Sequence, residues 1–583
     1  MYHKIRELFA YIPKGKISTF IVIIGLMLIS VCLEIIGFGI LIPTIEILFS
    51  EKPNESSIFK YFYNFVNVDH AYMKSNLTPL FGVIMLIYFI KNAFLLFFWW
   101  KRYNFIKVIQ TDISIDLFGN YLYLPWKLHL NKNSSDIIRN LEHENIKIGS
   151  TINSIIELIT EILIFTVIVA LLIIWKPLPV LLCISIFLVV SVLFLILSKR
   201  KINDLARKSQ KYESAFFKIC KEALGSLKEI KVLKIEKKFM NEYSHRLKAG
   251  ANYRLLFAFF QVVPKYIFEV LAILFVLIIS IFLFKFDSSA ESLVVVMGVL
   301  VLAIVRLLPS FNKITVSLQH IRYGFNSIKV INKEYEEFKI HDLDKFKKIE
   351  NKEIKFNNKI ELQNINFSYL KSKDHKVLNN LCLNIKKGEI IGLMGPSGSG
   401  KTTLIDLIIG LLDVYEGKFL VDEKLIDTSN KDSWQKKVGY IPQNFFLFDE
   451  TIKNNICMDT YSNNEDEKID KEVLEILEQL QMKKFIQELP EGINTFVGEA
   501  GIRLSGGQRQ RLGIARALFH NPEILVLDEA TNALDEFTEK KIMEIIYSFK
   551  NKKTIIISTH DKKNLYKCDH IYEMENGNLK KSK

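Results

Sequence analysis

Paired cysteines are missing from this 583-residue chain, and their absence removes two classes of protein at once. Its six cysteines, Cys32, Cys183, Cys220, Cys382, Cys457 and Cys568, are scattered without a CxxC pair or metal-ligand spacing, so neither a disulfide framework nor a zinc site is expected. A secretory cleavage site is lacking too, since the first apolar run is over twice the ~7–15 residues of a signal-peptide core and no small-residue processing motif follows it. No Arg- and Ser-rich organelle presequence is present. Lysine and arginine are scarce in the connections 49–78, 176–177 and 286–291, although the whole chain carries a net charge of +14. They crowd into 101–148 and 199–254, where membrane topology explains them, so nucleic-acid binding is not expected.

Long apolar stretches are what the first half does have. About six runs before residue ~320 are long enough to span a hydrocarbon core, which takes ~20 apolar residues. They lie near 17–48, 79–100, 151–175, 178–198, 256–285 and 292–310. The basic stretches between them face the cytoplasm by the positive-inside rule, and so do both termini and the second half of the chain. A bacterial inner (plasma) membrane is the simplest address. Tyr2 to Lys16, with Ile5, Leu8, Phe9 and Ile12 among bases, reads as an amphipathic helix on the inner membrane surface. The stretches 101–148 and 199–254 read as cytoplasmic extensions of the spans, turning near Leu124 to Asn133 and near Lys221 to Lys231. The expected organisation is a membrane domain over 1–324, a Lys-, Glu- and Asn-rich linker over 325–357 and a soluble domain over 358–583.

The soluble half carries a phosphate-binding constellation. Gly395-Pro396-Ser397-Gly398-Ser399-Gly400-Lys401-Thr402 fits G-x-x-x-x-G-K-[ST], after an apolar stretch and before a helical pattern beginning at Thr403. Backbone N–H groups at a helix N-terminus, with glycines that permit close approach, suit the phosphates of ATP. Lys401 supplies a cation to them, and Thr402 a hydroxyl to Mg²⁺. Further on stand Leu504-Ser505-Gly506-Gly507-Gln508, the apolar strand Ile524 to Leu527 ending in Asp528-Glu529, and Ile555-Ile556-Ile557 leading to His560. Asp528 is the expected metal ligand, Glu529 the carboxylate that polarises the attacking water, and His560 the contact to the γ-phosphate.

This ordered set resembles the ATP-binding cassette (ABC) ATPases. The resemblance implies that Gln443, in Tyr440-Ile441-Pro442-Gln443, touches the metal and links it to the membrane domain, and that Tyr369 stacks on adenine. It also implies that Ser505, Gly506, Gly507 and Gln508 bind the ATP held by a partner's phosphate loop, with Asp535 lying across the interface. One chain has one of each, so a homodimer with two equivalent sites is expected. His560 is followed by Asp561 where such exporters usually have Arg, and Asn532 stands where Ser is common; neither removes a catalytic group. Together with the six spans, the chain resembles a type I exporter (type IV) half-transporter: an α-helical membrane domain followed by an α/β P-loop NTPase cassette. In such exporters Val497-Gly498-Glu499 would meet the cytoplasmic loops.

Four basic residues within or at the ends of apolar spans, Lys91, Lys265, Arg306 and Lys313, are candidates to line a substrate cavity for an anion. Snorkelling for Lys313 and pairing of Lys265 with Glu269 are the plainer alternatives. Val301 to Ser310 with Asn312, Val263-Pro264-Lys265 and the cassette stretches around Gly395 and Tyr440 resemble lipid-linked oligosaccharide flippases of the PglK/Wzk type. That resemblance implies ATP-driven movement of a polyprenyl-pyrophosphate-linked glycan to the outer leaflet, with Ile58, Phe59, Tyr61, Phe62, Phe65 and Val66 forming an outer-surface helix. Export of other lipids (lipid A type) or drugs is the alternative transport reading, and an ATP-gated channel or regulatory membrane ATPase the alternative from another class. A leader-cleaving peptide exporter is not expected, since no cysteine-protease domain precedes the first span.

Overall fold

The computed structural model describes residues 14–49, 77–175, 177–286, 290–340, 352–369, 376–458, 466–531 and 534–582. The expected N-terminal surface helix falls almost wholly outside the described residues, and the outer helix over 58–66 and Asn532 lie outside them altogether. Two compact units emerge, one of residues 1–122 with 132–341 and one of 123–131 with 342–583.

The first unit is helical. Its helices are α1 (Ile17–Phe49), α2 (Leu77–Leu122), α3 (Trp126–His129, which groups with the second unit), α4 (Ser134–Arg139), α5 (Asn145–Trp175), α6 (Pro177–Gly225), α7 (Leu227–Leu233), α8 (Glu236–Phe286) and α9 (Ala290–Ile340). Among the described residues, five stretches are long and apolar enough to cross a membrane: Ile17–Leu41, Phe81–Leu122, Ser134–Ile174, Glu236–Ile278 and Met297–Ile340. The sixth expected run, 178–198, forms the first part of α6. Helices suit this setting because they satisfy every backbone N–H and C=O within the segment. Residues 325–340, expected as the start of a linker, continue α9 without a break.

Both expected loop tips are turns. Chain reversal between α2 and α4 runs through α3, and α6 gives way to α7 at Ser226. Inside the unit, Ile164, Ile168 and Leu172 of α5 pack with Val299, Ala303 and Leu307 of α9 and with Val31 and Phe38 of α1. A second cluster joins Phe187, Phe268, Ala272 and Phe311, with ring centroids of Phe268 and Phe311 5.7 Å apart. Large apolar side chains on the outer faces, such as Phe89, Leu96 and Leu197, stay exposed, as hydrocarbon solvent permits.

The second unit carries two sheets. One is antiparallel in the order β2-β1-β4-β5, from β1 (Lys359–Phe367), β2 (Leu378–Lys386), β4 (Glu416–Val421) and β5 (Lys424–Leu425). The other runs β10-β9-β3-β8-β7-β6, from β3 (Ile390–Met394), β6 (Val438–Ile441), β7 (Ile524–Asp528), β8 (Thr554–Ser558), β9 (His570–Glu575) and β10 (Asn578–Lys581). Strands β9, β3, β8, β7 and β6 are parallel, and only β10 pairs antiparallel at the edge. All five residues of β7 and of β8 are buried, which is why Ile524 to Leu527 and Ile555 to Ile557 read as continuous apolar stretches rather than alternating ones. This order sets the carboxyl ends of β3, β8, β7 and β6 side by side, where ligands of open parallel sheets bind.

Candidate functional site

The phosphate loop leaves the carboxyl end of β3 and enters α10 (Lys401–Ile408), with Gly395, Gly398 and Gly400 at φ values of 151°, 81° and 106°. A side chain at Gly395 would place its Cβ 2.3 Å from the Met574 carbonyl oxygen, so both the turn and the space demand glycine. Lys401 is buried, and its Nζ donates to the carbonyls of Gly395 (2.6 Å) and Pro396 (3.1 Å), which aims the ammonium at the loop. Ser397 and Gly398 crown the loop in the open, and Thr402 is exposed one residue into the helix. The Ser399 hydroxyl is buried without a hydrogen-bond partner. A loop with an orphaned hydroxyl, glycines that a Cβ would crowd and a converging ammonium fits the phosphates of ATP with Mg²⁺.

Neighbouring strand ends bring the remaining groups. Strand β7 stops at Asp528, and Glu529 turns out of it with φ of 49°, its N–H bonded to Ser558 O at 2.9 Å. A carboxylate in this left-handed conformation carries local strain of a kind found at functional sites. Gln443, just past β6, donates from Nε2 to Glu529 Oε2 at 2.8 Å. Burial, reinforced by the Glu529 charge, raises the Asp528 carboxyl above its ordinary range, against the pull of Lys401 and Thr402. A divalent cation would reverse that cost. His560 follows β8 and is exposed. The Asp561 side chain accepts from the Lys563 N–H at 2.9 Å and caps a short turn, so the unusual acid there has a local structural role.

Tyr369 reaches α10: its hydroxyl lies 3.1 Å from Thr403 Oγ1, with the ring edge-on to Phe367. Helix α11 (Gly506–Phe519) opens with a capping box, in which Ser505 Oγ accepts from the Gln508 N–H and Gln508 Oε1 accepts from the Ser505 N–H. This reciprocal pair fixes the helix end and leaves Gly506 and Gly507 at its N-terminus. Asp535, expected across a dimer interface, caps α12 (Glu536–Ser548) through the Thr538 N–H at 2.9 Å. Val497 is in the core, whereas Phe496 and Ile502 on either side of it are exposed, Ile502 at 80%.

Two residues of the second unit went unnoticed in the sequence. The first is Asp406 on α10, whose carboxyl is pushed up to about 6 by burial and then by the Asp528 charge. Its unfolded value lies near ~3.9, so between these values the folded cassette binds more protons than the unfolded chain. The stability contribution is full below the unfolded value and is lost as pH rises through the folded one. Asp406→Asn is therefore expected to stabilise the nucleotide-free protein by about 2 kcal/mol at pH 8 and to be close to neutral at pH 4. Denaturant melts of the cassette at the two pH values test this; equal effects at both would contradict it.

The second is Lys127 on α3. Its Nζ donates to Ser368 O at 3.0 Å and sits over the rings of Phe367 (5.3 Å) and Tyr415 (4.8 Å). The segment 123–131 thereby reads the backbone directly before Tyr369, and by chain connection it joins α2 to α4. Lys127→Ala is expected to lower the stability of the second unit by about 1.5–3 kcal/mol, the range of a hydrogen bond to a charged group, and a denaturant melt unchanged from that of the native protein would contradict it.

In the membrane unit the four candidate cations do not converge on one place. Lys91 and Arg306 both meet Glu34 Oε2, at 3.3 and 3.1 Å. Gly37 lets Lys91 lie against α1, since a Cβ there would approach the Lys91 Cδ to 3.2 Å. Lys313 meets Glu161 Oε1 at 2.7 Å instead of only snorkelling, and Ser310 Oγ donates to the other oxygen at 2.8 Å. Lys265 forms no ion pair with Glu269; it is exposed, over the Tyr266 ring. Glu34 and Glu161 were the residues missing from the sequence reading. An acidic residue inside each apolar run was the available signal, because an uncompensated charge there is costly.

Comparison with known proteins agrees with this anatomy. The ABC transporter transmembrane region model matches residues 20–307 and the ABC transporter model matches residues 378–532. The chain is 40% identical over 220 residues to the heterocyst differentiation ATP-binding protein HepA of Nostoc sp., covering 38% of this chain and 35% of that protein. It is 38% identical over 221 residues to the ATP-dependent lipid A-core flippase of Syntrophus aciditrophicus, covering 38% of this chain and 35% of that one. These matches thus take in about a third of the relatives' length. A bacterial Atm1-family ABC exporter solved with ATP bound superposes with a TM-score of 0.75 at 18% identity, over 97% of this chain and 95% of that one, which shows the same fold. With both family models matched in order along one helical and one cassette unit, the chain belongs to the ABC transporters.

Proposed function

We propose that two copies of this chain form an ATP-driven flippase of the bacterial inner membrane, which moves a polyprenyl-pyrophosphate-linked oligosaccharide from the cytoplasmic to the outer leaflet. Such a lipid would serve protein N-glycosylation or O-antigen assembly. The observation that carries the anionic-lipid part is the cluster at Glu34, where two cations share one carboxylate and leave an excess positive charge inside the spans. Homodimer formation rests on the single phosphate loop and single Ser505–Gln508 motif of each chain. ATP with Mg²⁺ supplies the phosphoanhydride and the neutralisation of its charge. For their part, Lys401 binds the phosphates, Gln443 holds the Glu529 carboxylate through its hydrogen bond, and Glu529 takes a proton from the attacking water. Export of another lipid is the second reading, favoured by the similarity to lipid A-core flippases.

The decisive experiment is ATP-dependent translocation of a labelled polyprenyl-pyrophosphate oligosaccharide in proteoliposomes, with Glu529→Gln as control. Flipping by the native protein alone supports the proposal. Hydrolysis without flipping of this lipid moves the assignment to another lipid or a drug.

A further inference from the structure

Two adjoining cavities in the membrane unit, of about 300 and 340 Å³, share Tyr103, Glu157 and Lys313 in their linings. Each reaches the lower end of the ~300–1,000 Å³ usual for small-molecule sites. Their walls are rich in acceptors. Hydroxyls of Ser150, Ser154 and Thr160 donate to their own helix carbonyls at 2.8, 2.9 and 2.8 Å, so lone pairs are what they have left to offer. Asn153 Oδ1 and Asn312 Oδ1 are buried without a hydrogen-bond partner, and both side chains line the second cavity. Glu157 adds a carboxylate that enters no ion pair among the described residues.

Against these acceptors stands Lys313. Its ammonium has three donors, one of them on Glu161, and its side chain is half exposed. A ligand for this chamber must therefore donate to many groups and accept from a few. Phosphate only accepts: the buried Nε of Arg102 in the first cavity and Lys313 would suit it, but in the second cavity it would face the lone pairs of serine, asparagine and glutamate. An alkyltrimethylammonium could face the carboxylates of Glu34, Glu157 and Glu161, but it has no N–H to give the orphaned oxygens of Asn153 and Asn312. Vicinal hydroxyls both donate and accept, and a carboxylate such as Glu157 takes two of them at once.

We infer that this chamber binds a neutral polyhydroxylated group, a sugar ring, so that the membrane domain reads the glycan of its substrate here and not the phosphate. This rests on the glycan-bearing lipid proposed above, and assigns recognition of the sugar to Asn153, Glu157, Asn312 and Lys313.

The test uses the full-length protein in lipid nanodiscs, with its six cysteines replaced and Val316→Cys, which lines the second cavity, as a reporter. Maleimide labelling of that cysteine is followed with a sub-micellar alkyl maltoside, an alkyl phosphate and an alkyltrimethylammonium of equal chain length. Only the maltoside is expected to slow labelling, by about tenfold, the scale of one or two hydrogen bonds to the head group, with Asn312→Leu removing most of that protection. Protection by the phosphate or the ammonium alone, or equally by all three, overturns the inference. In parallel, flipping of glycosylated and bare polyprenyl pyrophosphate is compared in the native protein. Equal rates sink the sugar chamber and leave the flippase standing. Selective maltoside protection with neither lipid flipped leaves the chamber standing and sinks the polyprenyl-lipid reading. A thermal melt of Asn312→Leu in the same nanodiscs, matching that of the native protein, reports that the variant is folded.

Discussion

Glu529→Gln is expected to bind ATP as tightly as the native chain while sustained hydrolysis falls by about 10²–10⁴-fold, the range of a lost general base. The physical reason lies in the amide of Gln443, 2.8 Å from the Glu529 carboxylate. An amide at 529 still fills the space, and one of its atoms still meets Gln443, but it has no proton affinity for the attacking water. Nothing on the phosphate loop changes, so Lys401 and the backbone N–H groups from Ser399 onward keep their hold on the nucleotide. A filter-binding measurement with labelled ATP, alongside steady-state phosphate release, separates the two effects. Near-native turnover would remove Glu529 from the role of base and turn attention to His560.

The second large effect concerns the membrane unit. Glu34→Gln should lower stability by about 3–5 kcal/mol, because removing one member of a buried ion cluster leaves the others uncompensated. Here one substitution strands two cations, Lys91 and Arg306, which meet the same carboxylate oxygen. Lys91→Met should cost far less, since Arg306 still neutralises Glu34. Thermal melts in nanodiscs give the ranking, and identical melting of Glu34→Gln and the native protein would show that the cations find water without their carboxylate. A further reading is contained in the same pair: if Lys91→Met slows flipping of an anionic lipid without lowering the melting temperature, the excess charge of the cluster acts on the substrate.

How much of this was legible in the chain differs between its halves. The cassette motifs are contiguous, and each needs a residue type for a backbone reason: glycine for close approach at Gly395, an apolar run before Asp528 for a buried parallel strand. Local order was enough to name them. Long apolar runs likewise announced the spans, and the turns near α3 and α7 follow from two helical extensions that each must turn near the tip between one span and the next. The pairing of Lys91 with Glu34, 57 residues apart, was not. Hydropathy gives the length of a helix but not its rotation about its axis, and that rotation decides which polar side chains meet across a bundle.

The sequence by itself determined that this is a chain of membrane-spanning helices followed by a nucleotide cassette, because periodicity, apolar length and phosphate-loop spacing are local properties. Tertiary structure decided what those residues do together. Strand order β3-β8-β7-β6 aligns four loops that lie far apart in the chain, and so puts Gln443 on Glu529. Helix packing placed three of the four candidate cations on two carboxylates, Glu34 and Glu161, left one lysine exposed, and left between α5 and α9 a chamber whose unspent acceptors only a folded interior could reveal. Burial is the common reason: desolvation makes a charge seek a partner, and partners are found across the fold, not along the chain.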